Sequence, residues 1–201
     1  MSRARFAATA AAVVVFIGLR ATTTQATFHE WRITEVYSDA TGAVQFIEFQ
    51  QPAFTVDDER FVGGQTLKDS ALGHTFTFAT HLPSEPQPSS HFLVATPGYA
   101  ALSRVPAPDY VLPANNFFST AGDTLTFATF VDQLQFTGAQ FPTNGTSSLN
   151  RDYAATTLTT ARNSPTNFAG QSGSVVPEPA AAGLLACGAI LALRRRRASR
   201  R

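Results

Sequence analysis

The chain has 201 residues, a length that suits one domain with short appendages. Hydrophobic residues make up 44% and charged residues only 14%, which excludes a charged disordered tail. The net charge is +1, but the charges are unevenly distributed along the chain. Residues 27–176 carry six basic and thirteen acidic side chains, a net of −7, and the other basic residues lie at the two ends of the chain. An anionic body argues against nucleic-acid binding, which needs clustered Lys and Arg.

Residues 1–26 have the three-part pattern of a secretory signal peptide. Arg3 and Arg5 precede an apolar run over 6–19, and Ala26 is a small residue at the cleavage position, so we predict cleavage after Ala26. The alternative is an uncleaved N-terminal anchor. Fourteen apolar residues span only about 21 Å as a helix, which is shorter than a hydrocarbon core of about 30 Å.

The body, predicted as a domain over 27–150, consists of short β-rich runs separated by turn residues. The runs 31–37 and 43–49 flank a connector with Asp39 and Gly42, which predicts a hairpin. Further strands are predicted at 75–80, 91–95, 110–112, 124–131 and 134–137, with the last two as a hairpin and one helical turn at 99–104. The short, continuous apolar run at 91–95 is typical of a strand buried on both faces. Seven or eight strands with regular turns predict an all-β fold, an immunoglobulin-like antiparallel β-sandwich.

The next segment is polar. Residues 146–174 are rich in Ser, Thr, Asn and Gly, and this composition predicts an irregular wrap followed by a linker. We place this wrap and linker at 151–176 in the domain organisation.

Three short motifs in the body resemble the opening of lamin-tail-type domains. They are ITEV at 33–36, FIEF at 46–49 and GQTLKD at 64–69. The resemblance spans roughly 31–132, and it implies a small immunoglobulin-like sandwich of the kind found as a non-catalytic module on bacterial secreted proteins. The chain departs from that pattern in a Pro-rich insertion at 83–88 and in the segment after Asp132.

The pattern of residues 177–201, at the C-terminus, indicates a membrane-associated signal. Pro177, Glu178 and Pro179 precede an apolar stretch over 180–193, and four arginines follow it: Arg194, Arg195, Arg196 and Arg197. The stretch predicts a transmembrane helix with its arginines in the cytoplasm and the body outside. Cys187, the single cysteine, lies inside this stretch, so the chain forms no internal disulfide. A plain single-pass tail anchor is the alternative.

This order of elements resembles the PEP-CTERM sorting signal of Gram-negative bacteria. The resemblance implies recognition of Pro177, Glu178 and Pro179 by exosortase, a membrane-embedded processing enzyme. It also implies that the helix and the Arg block hold the motif at the outer membrane boundary.

Candidate catalytic groups are few. His74, His81 and His91 form no metal-binding spacing, and the chain has no Gly-x-Ser-x-Gly motif. Glu35 and Glu48 face each other across the predicted hairpin, where a glycosidase would need a cleft, but two such acids usually face water. We therefore predict no catalytic residue, no metal and no cofactor.

Two other groups of residues have alternative interpretations. Asp57, Asp58 and Glu59 could offer oxygen ligands to calcium, but a solvated acidic loop is the expected reading. Four aromatic side chains could stack on sugars if they shared an exposed face, although core positions are expected for them: Trp31, Tyr37, Tyr99 and Tyr110.

These observations predict an exported, non-enzymatic β-sandwich protein. We expect an inner-membrane-anchored precursor and a mature form at the cell envelope or outside the cell. The expected partners are exosortase, the secretion machinery and the exopolysaccharide matrix, and the C-terminal helix contacts the membrane before processing. The alternatives are a carbohydrate-binding module, which requires an aromatic platform, and a secreted hydrolase, which requires clustered His and carboxylates.

Overall fold

The computed structural model describes residues 29–54, 58–129, 131–154 and 156–175. Within these ranges the chain forms ten strands and one short helix. In chain order they are β1 (Arg32–Ser38), β2 (Gln45–Gln50), β3 (Thr66–Asp69), β4 (Thr75–Thr77), β5 (His91–Ala95), α1 (Pro97–Ala100), β6 (Tyr110–Val111), β7 (Gly122–Phe127), β8 (Asp132–Thr137), β9 (Ser147–Arg151) and β10 (Leu158–Arg162).

The strands form two sheets. One sheet has six strands in the order β10-β9-β1-β2-β5-β6, and the other has four in the order β4-β3-β7-β8. Every pairing among the named strands is antiparallel except that of β5 with β6, which is parallel. The prediction of a mostly antiparallel all-β fold is confirmed, and the parallel pair is a local departure from it.

The parallel pair follows from the connection between its two strands. A parallel neighbour requires the chain to cross back over the sheet before it enters the next strand. Here α1 and the loop that follows it make that crossing. The helix begins at Pro97, two residues earlier than predicted, because Thr96 caps it and Pro97 is pre-set for the first turn.

One apolar core lies between the two sheets. It contains Ile33, Ile47 and Phe92 from the six-stranded sheet and Leu125 and Phe127 from the four-stranded sheet, all fully buried. In β7 and β8 buried and more accessible residues alternate, so only one face of these strands meets the core. The two sheets therefore pack face to face, as the layers of a sandwich do.

The six-stranded sheet is also covered on its outer face. There a second, smaller core contains Tyr37, Phe46, Leu93, Tyr99 and Val175. The central strands β1, β2 and β5 are consequently buried on both faces. This confirms the prediction that the run 91–95 is a strand buried on both faces.

Both predicted hairpins form. Asp39 stabilises the β1–β2 connector, because its Oδ1 accepts hydrogen bonds from the backbone N–H of Thr41 and of Val44. Gly42 adopts a φ of 73°, a conformation that glycine reaches without steric cost. The β7–β8 hairpin forms as well, but the strand predicted over 124–131 ends already at Phe127, and β8 starts at Asp132, two residues before the predicted 134.

The interpretation of 146–174 as an irregular wrap and a linker is wrong for two stretches within it. β9 pairs with β1, and β10 pairs with β9 over five residue pairs. The side chains of β10 are mostly exposed, so this strand has no apolar alternation for a sequence pattern to reveal. Its backbone pairs with β9 because the edge of the sheet offers unpaired N–H and C=O groups.

Candidate functional site

The residues predicted to direct export and sorting lie outside the described residues. They are Ala26 at the end of the signal peptide, and Pro177, Glu178, Pro179, Arg194, Arg195, Arg196 and Arg197 in the C-terminal signal. The predicted transmembrane helix over 180–193 lies outside them too. Within the part of the chain that the structure describes, no helix is long and apolar enough to cross a membrane.

Glu35 and Glu48 are partners in the register of β1 and β2. We call them the carboxylate pair. The expectation that both face water is wrong, because they are only 3% and 4% exposed. They lie on the outer face of the six-stranded sheet, and the C-terminal segment, residues 163–175, contacts both carboxylates.

Glu35 is held by two serines. Its Oε1 accepts hydrogen bonds from Ser148 Oγ at 2.6 Å and from the backbone N–H of Ser164 at 2.8 Å. Its Oε2 accepts a third hydrogen bond, from Ser164 Oγ at 3.0 Å. Because Ser148 is on β9 and Ser164 is in the C-terminal segment, Glu35 joins three parts of the chain that are distant in sequence.

Glu48 is engaged in the same way. Its Oε1 lies 2.8 Å from Nδ1 of His91 on β5, and its Oε2 accepts a hydrogen bond of 2.5 Å from the backbone N–H of Thr166. All four oxygens of the carboxylate pair therefore contact a hydrogen-bonding group of the protein. Each carboxylate oxygen of the pair thus has a protein partner, as buried polar groups in folded proteins generally do.

Burial is the main influence on the ionisation of Glu35. Removal of the Glu35 carboxyl from water raises its pKa above the ordinary value of 4.5, against the opposing effect of the Ser148 and Ser164 hydrogen bonds, and the nearby Glu48 charge raises it further. Burial likewise raises the pKa of the Tyr99 hydroxyl, with the charges of Glu35 and Glu48 as the next causes. Burial and the neighbouring carboxylates thus disfavour ionisation of Glu35 and of Tyr99.

The C-terminal segment is anchored at both of its ends. The Asn163 side chain donates to the carbonyl of Thr146 and to the carbonyl of Val175, both at 2.8 Å, and its Oδ1 accepts from the N–H of Val175 at 2.5 Å. Val175 itself is 6% exposed and belongs to the second core. The sequence pattern predicted a linker here, whereas the structure places a buried, hydrogen-bonded residue at position 175.

The middle of the C-terminal segment is fastened to the loop between α1 and β6. Asn167 donates to the carbonyl of Ala107 at 3.0 Å, and the N–H of Phe168 donates to Asp109 Oδ2 at 2.9 Å. Asp109 also accepts from the N–H of Leu93 at 2.8 Å. Desolvation raises the pKa of the Asp109 carboxyl, in opposition to these backbone hydrogen bonds.

The three candidate histidines serve different parts of the fold. His74 Nδ1 lies 2.8 Å from the carbonyl of Phe117, and His81 Nδ1 accepts the N–H of Gly63 at 3.0 Å. His91 contacts Glu48, as described above. Within the described residues, no group of three or more His, Cys, Asp or Glu is arranged to hold a metal ion.

The acidic run at 57–59 does not behave as one unit. Asp57 lies outside the described residues, and Asp58 pairs with Arg60 at 3.0 Å. Glu59 is fully buried, and its Oε2 accepts the backbone N–H groups of His29 and Glu30. The prediction of a solvated acidic loop is therefore wrong for Glu59, which binds the chain just before β1. Burial raises the pKa of its carboxyl.

The four aromatic residues weighed as a sugar-stacking platform are buried. They are Trp31, Tyr37, Tyr99 and Tyr110, with exposed fractions of 0%, 1%, 0% and 9%. Trp31 packs edge-on against Phe92, and its indole N–H donates to the carbonyl of Glu59 at 2.8 Å. These rings are core residues and cannot form one exposed face together.

Sequence reasoning missed several buried acids that organise the loops. Asp123 accepts hydrogen bonds from four backbone N–H groups, those of Ser70, Ala71, Ser119 and Thr124. Asp69 accepts two more, from Leu72 and His74. A detectable signal was present, because acidic residues beside turn residues often accept nearby backbone N–H groups.

A second missed feature joins the two sheets. The Arg151 guanidinium on β9 donates to the carbonyl of Ile33 on β1 and to the carbonyl of Gln133 on β8, and it pairs with Asp132. Asp132 in turn accepts the N–H of Ile33 at 2.8 Å. One ion pair therefore connects the six-stranded and four-stranded sheets along one side.

Many of the acidic side chains that give the body its negative net charge are not on the surface. The structure describes twelve of the thirteen acidic side chains in residues 27–176, and six of these are buried: Glu35, Glu48, Glu59, Asp69, Asp123 and Asp132. The net charge of −7 is thus not a surface charge of the same size.

Compared with known proteins, the chain matches no family model, no curated protein and no solved structure.

Proposed function

We propose that the chain is an exported, non-enzymatic protein with an immunoglobulin-like β-sandwich body. In this proposal residues 1–26 direct export, and the tail over 177–201 holds a precursor in the inner membrane until exosortase processes it. The mature body is then displayed on the cell envelope or released, in the setting of the exopolysaccharide matrix.

One observation carries the non-enzymatic part of this proposal. The acids and histidine that could perform acid–base chemistry, Glu35, Glu48 and His91, are engaged with one another or with Ser148, Ser164 and Thr166. A general acid or base must reach a proton of the substrate, and here the C-terminal segment binds both carboxylates. We infer that these groups hold the body together.

The contacts of the acidic residues in the lamin-tail-like motifs support the same proposal. The glutamates of its ITEV and FIEF motifs are Glu35 and Glu48, and the aspartate of its GQTLKD motif is Asp69. All three are buried acceptors that bind backbone N–H groups. We propose that the motif acids act as loop fasteners in an immunoglobulin-like module.

The sorting part of the proposal is tested in a Gram-negative host that carries an exosortase. Replacement of Pro177, Glu178 and Pro179 by Ala should leave an uncleaved species in the inner membrane. The matched control replaces Pro83, Glu85 and Pro88, three exposed residues of the body, and should be processed normally. Mass spectrometry of both termini and fractionation of cell, envelope and medium are the readouts. Normal processing of the first variant would favour the plain tail anchor.

The non-enzymatic part needs a separate experiment. The processed protein is assayed on a panel of glycosidase, esterase and peptidase substrates and in polysaccharide pull-downs. We expect no turnover. Turnover that disappears in His91→Ala or Glu48→Gln variants, with the fold retained by circular dichroism, would contradict the proposal.

A further inference from the structure

The turn before β9 contains an asparagine that is followed by a glycine, Asn144 and Gly145. In such a pair the backbone nitrogen of the glycine can attack the side-chain amide carbon of the asparagine, because glycine has no Cβ to obstruct the approach. Asn144 is exposed, so water reaches the turn. Among the described residues, the N–H of Gly145 has no hydrogen-bond partner, which leaves this nitrogen available for the attack.

The side-chain carbonyl of Asn144 is surrounded by hydrogen-bond donors. Its Oδ1 accepts the backbone N–H of Thr146 at 3.0 Å and that of Ser147 at 2.8 Å, and it accepts the Thr146 hydroxyl at 3.2 Å. Attack on the amide carbon places a negative charge on this oxygen. Donors that are positioned in advance stabilise such a developing charge without reorganisation. The turn therefore supplies an oxyanion hole to its own amide.

We propose that Asn144 and Gly145 form a self-modifying site, which loses ammonia without an enzyme. The Gly145 nitrogen bonds to Cγ of Asn144 and gives its proton to water. The bond from Cγ to Nδ2 then breaks, and Nδ2 takes up a proton and leaves as ammonia. The product is a succinimide ring. Water opens this ring at either carbonyl and yields aspartate or isoaspartate, so water is the only co-reactant and nothing is oxidised or reduced.

The reaction would change the backbone just before β9. The carbonyl of Gly145 accepts the Tyr37 hydroxyl at 3.0 Å. The carbonyl of Thr146 accepts both the backbone N–H and the side-chain amide of Asn163, at 3.0 and 2.8 Å. Isoaspartate lengthens the main chain by one CH₂ group and adds a negative charge beside these carbonyls. Both contacts must then shift, and the change reaches the C-terminal segment through Asn163.

The rate of conversion in the full chain, purified in detergent, tests the proposal. Peptide mass spectrometry after incubation in heavy-oxygen water follows the loss of the amide, and a synthetic peptide of residues 139–150 is the unfolded reference. We expect Asn144 to convert about tenfold faster in the folded chain than in the peptide, because only the folded turn positions the donors. Conversion at an equal or lower rate in the folded chain would overturn the proposal.

Two variants and an internal control test the chemistry. Asn144→Gln keeps an amide but moves its carbon too far for a succinimide to close, so it should not convert. Thr146→Val removes the hydroxyl donor and should slow conversion about threefold. Asn115 should stay unmodified, because a residue with a Cβ follows it and, among the described residues, its Oδ1 accepts a single hydrogen bond, from Gly98 N–H. An unchanged rate in Thr146→Val would contradict the role of the donors.

Hydrogen exchange measures the consequence for the fold. The unmodified chain and the isoaspartate form are separated by chromatography and compared. The N–H of Asn163 should exchange faster in the isoaspartate form, whereas that of Gln51, which donates to the carbonyl of Ser90 elsewhere in the sheet, should not change. Equal exchange of Asn163 in the two forms would contradict the coupling of this turn to the C-terminal segment.

Discussion

Glu35 and Glu48 face each other on adjacent strands, and both carboxylates are buried beneath contacts from the C-terminal segment. Two carboxylates this close would normally repel, and burial would add to that cost. Here hydrogen bonds from serine hydroxyls and from the backbone offset part of it. The pair therefore binds the C-terminal segment of the body to the central strands of the six-stranded sheet.

The first prediction concerns pH. Because burial raises the folded-state pKa of Glu35 above 4.5, its contribution to stability is full below pH 4.5 and is lost as the pH rises through the raised value. Glu35→Gln does not titrate. We expect the free energy of unfolding of the wild type, minus that of the variant, to increase as the pH falls from about 7 towards 4.5.

Denaturant unfolding at a series of pH values measures this difference. Glu85→Gln is the matched control, because Glu85 is exposed and its loss reports the general effect of removing one negative charge. A difference between wild type and Glu35→Gln that shrinks on acidification would rule out a raised pKa as the dominant effect.

The second prediction separates the tail from the body. A chain that starts at Thr27 and ends at Val176 should keep its β circular-dichroism signal and remain soluble. A chain that ends at Arg162 loses the Ser164 and Thr166 donors to the carboxylate pair and the burial of Val175, while Ser148 and His91 remain. We expect it to lose about 3 kcal/mol or more in free energy of unfolding. Equal thermal stability of the two chains would show that the C-terminal segment does not belong to the fold.

The third prediction concerns the ion pair between the sheets. Arg151→Met leaves the Asp132 carboxylate buried without its cation, and this should cost about 3–5 kcal/mol. Arg104→Met, at an exposed position, should change stability by less than about 0.5 kcal/mol. The double variant Arg151→Met with Asp132→Leu should lose less than the sum of the two single changes. Additive losses in this double-mutant cycle would contradict coupling of the pair.

The fourth prediction concerns Asp123, whose two oxygens together accept four backbone N–H groups. Asp123→Asn conserves size but directs an NH₂ group at one of these donors. Because a buried unsatisfied donor costs about 1–3 kcal/mol, we expect a loss in that range by thermal and denaturant unfolding. Asp152→Asn is the control, because Asp152 is exposed and, among the described residues, accepts a single hydrogen bond, from the N–H of Ala154. Losses of equal size would refute the special role of Asp123.

The sequence by itself determined the β class, both predicted hairpins and the doubly buried strand β5. These features depend on local signals: alternating apolar residues, turn residues such as Asp39 and Gly42, and a short continuous apolar run at 91–95. Such signals act over a few residues, so they can be read along the chain without knowledge of the distant partners.

Only the tertiary structure decided which polar residues pair in a strand and which are buried. β10 is a strand because β9 offers it an unpaired edge, and its own side chains are almost all exposed. Glu35 and Glu48 are buried because Ser164 and Thr166, more than a hundred residues away, donate to them. The sequence around a carboxylate does not show whether that group will be exposed or buried. Its burial depends on hydrogen-bond donors that folding brings from distant parts of the chain.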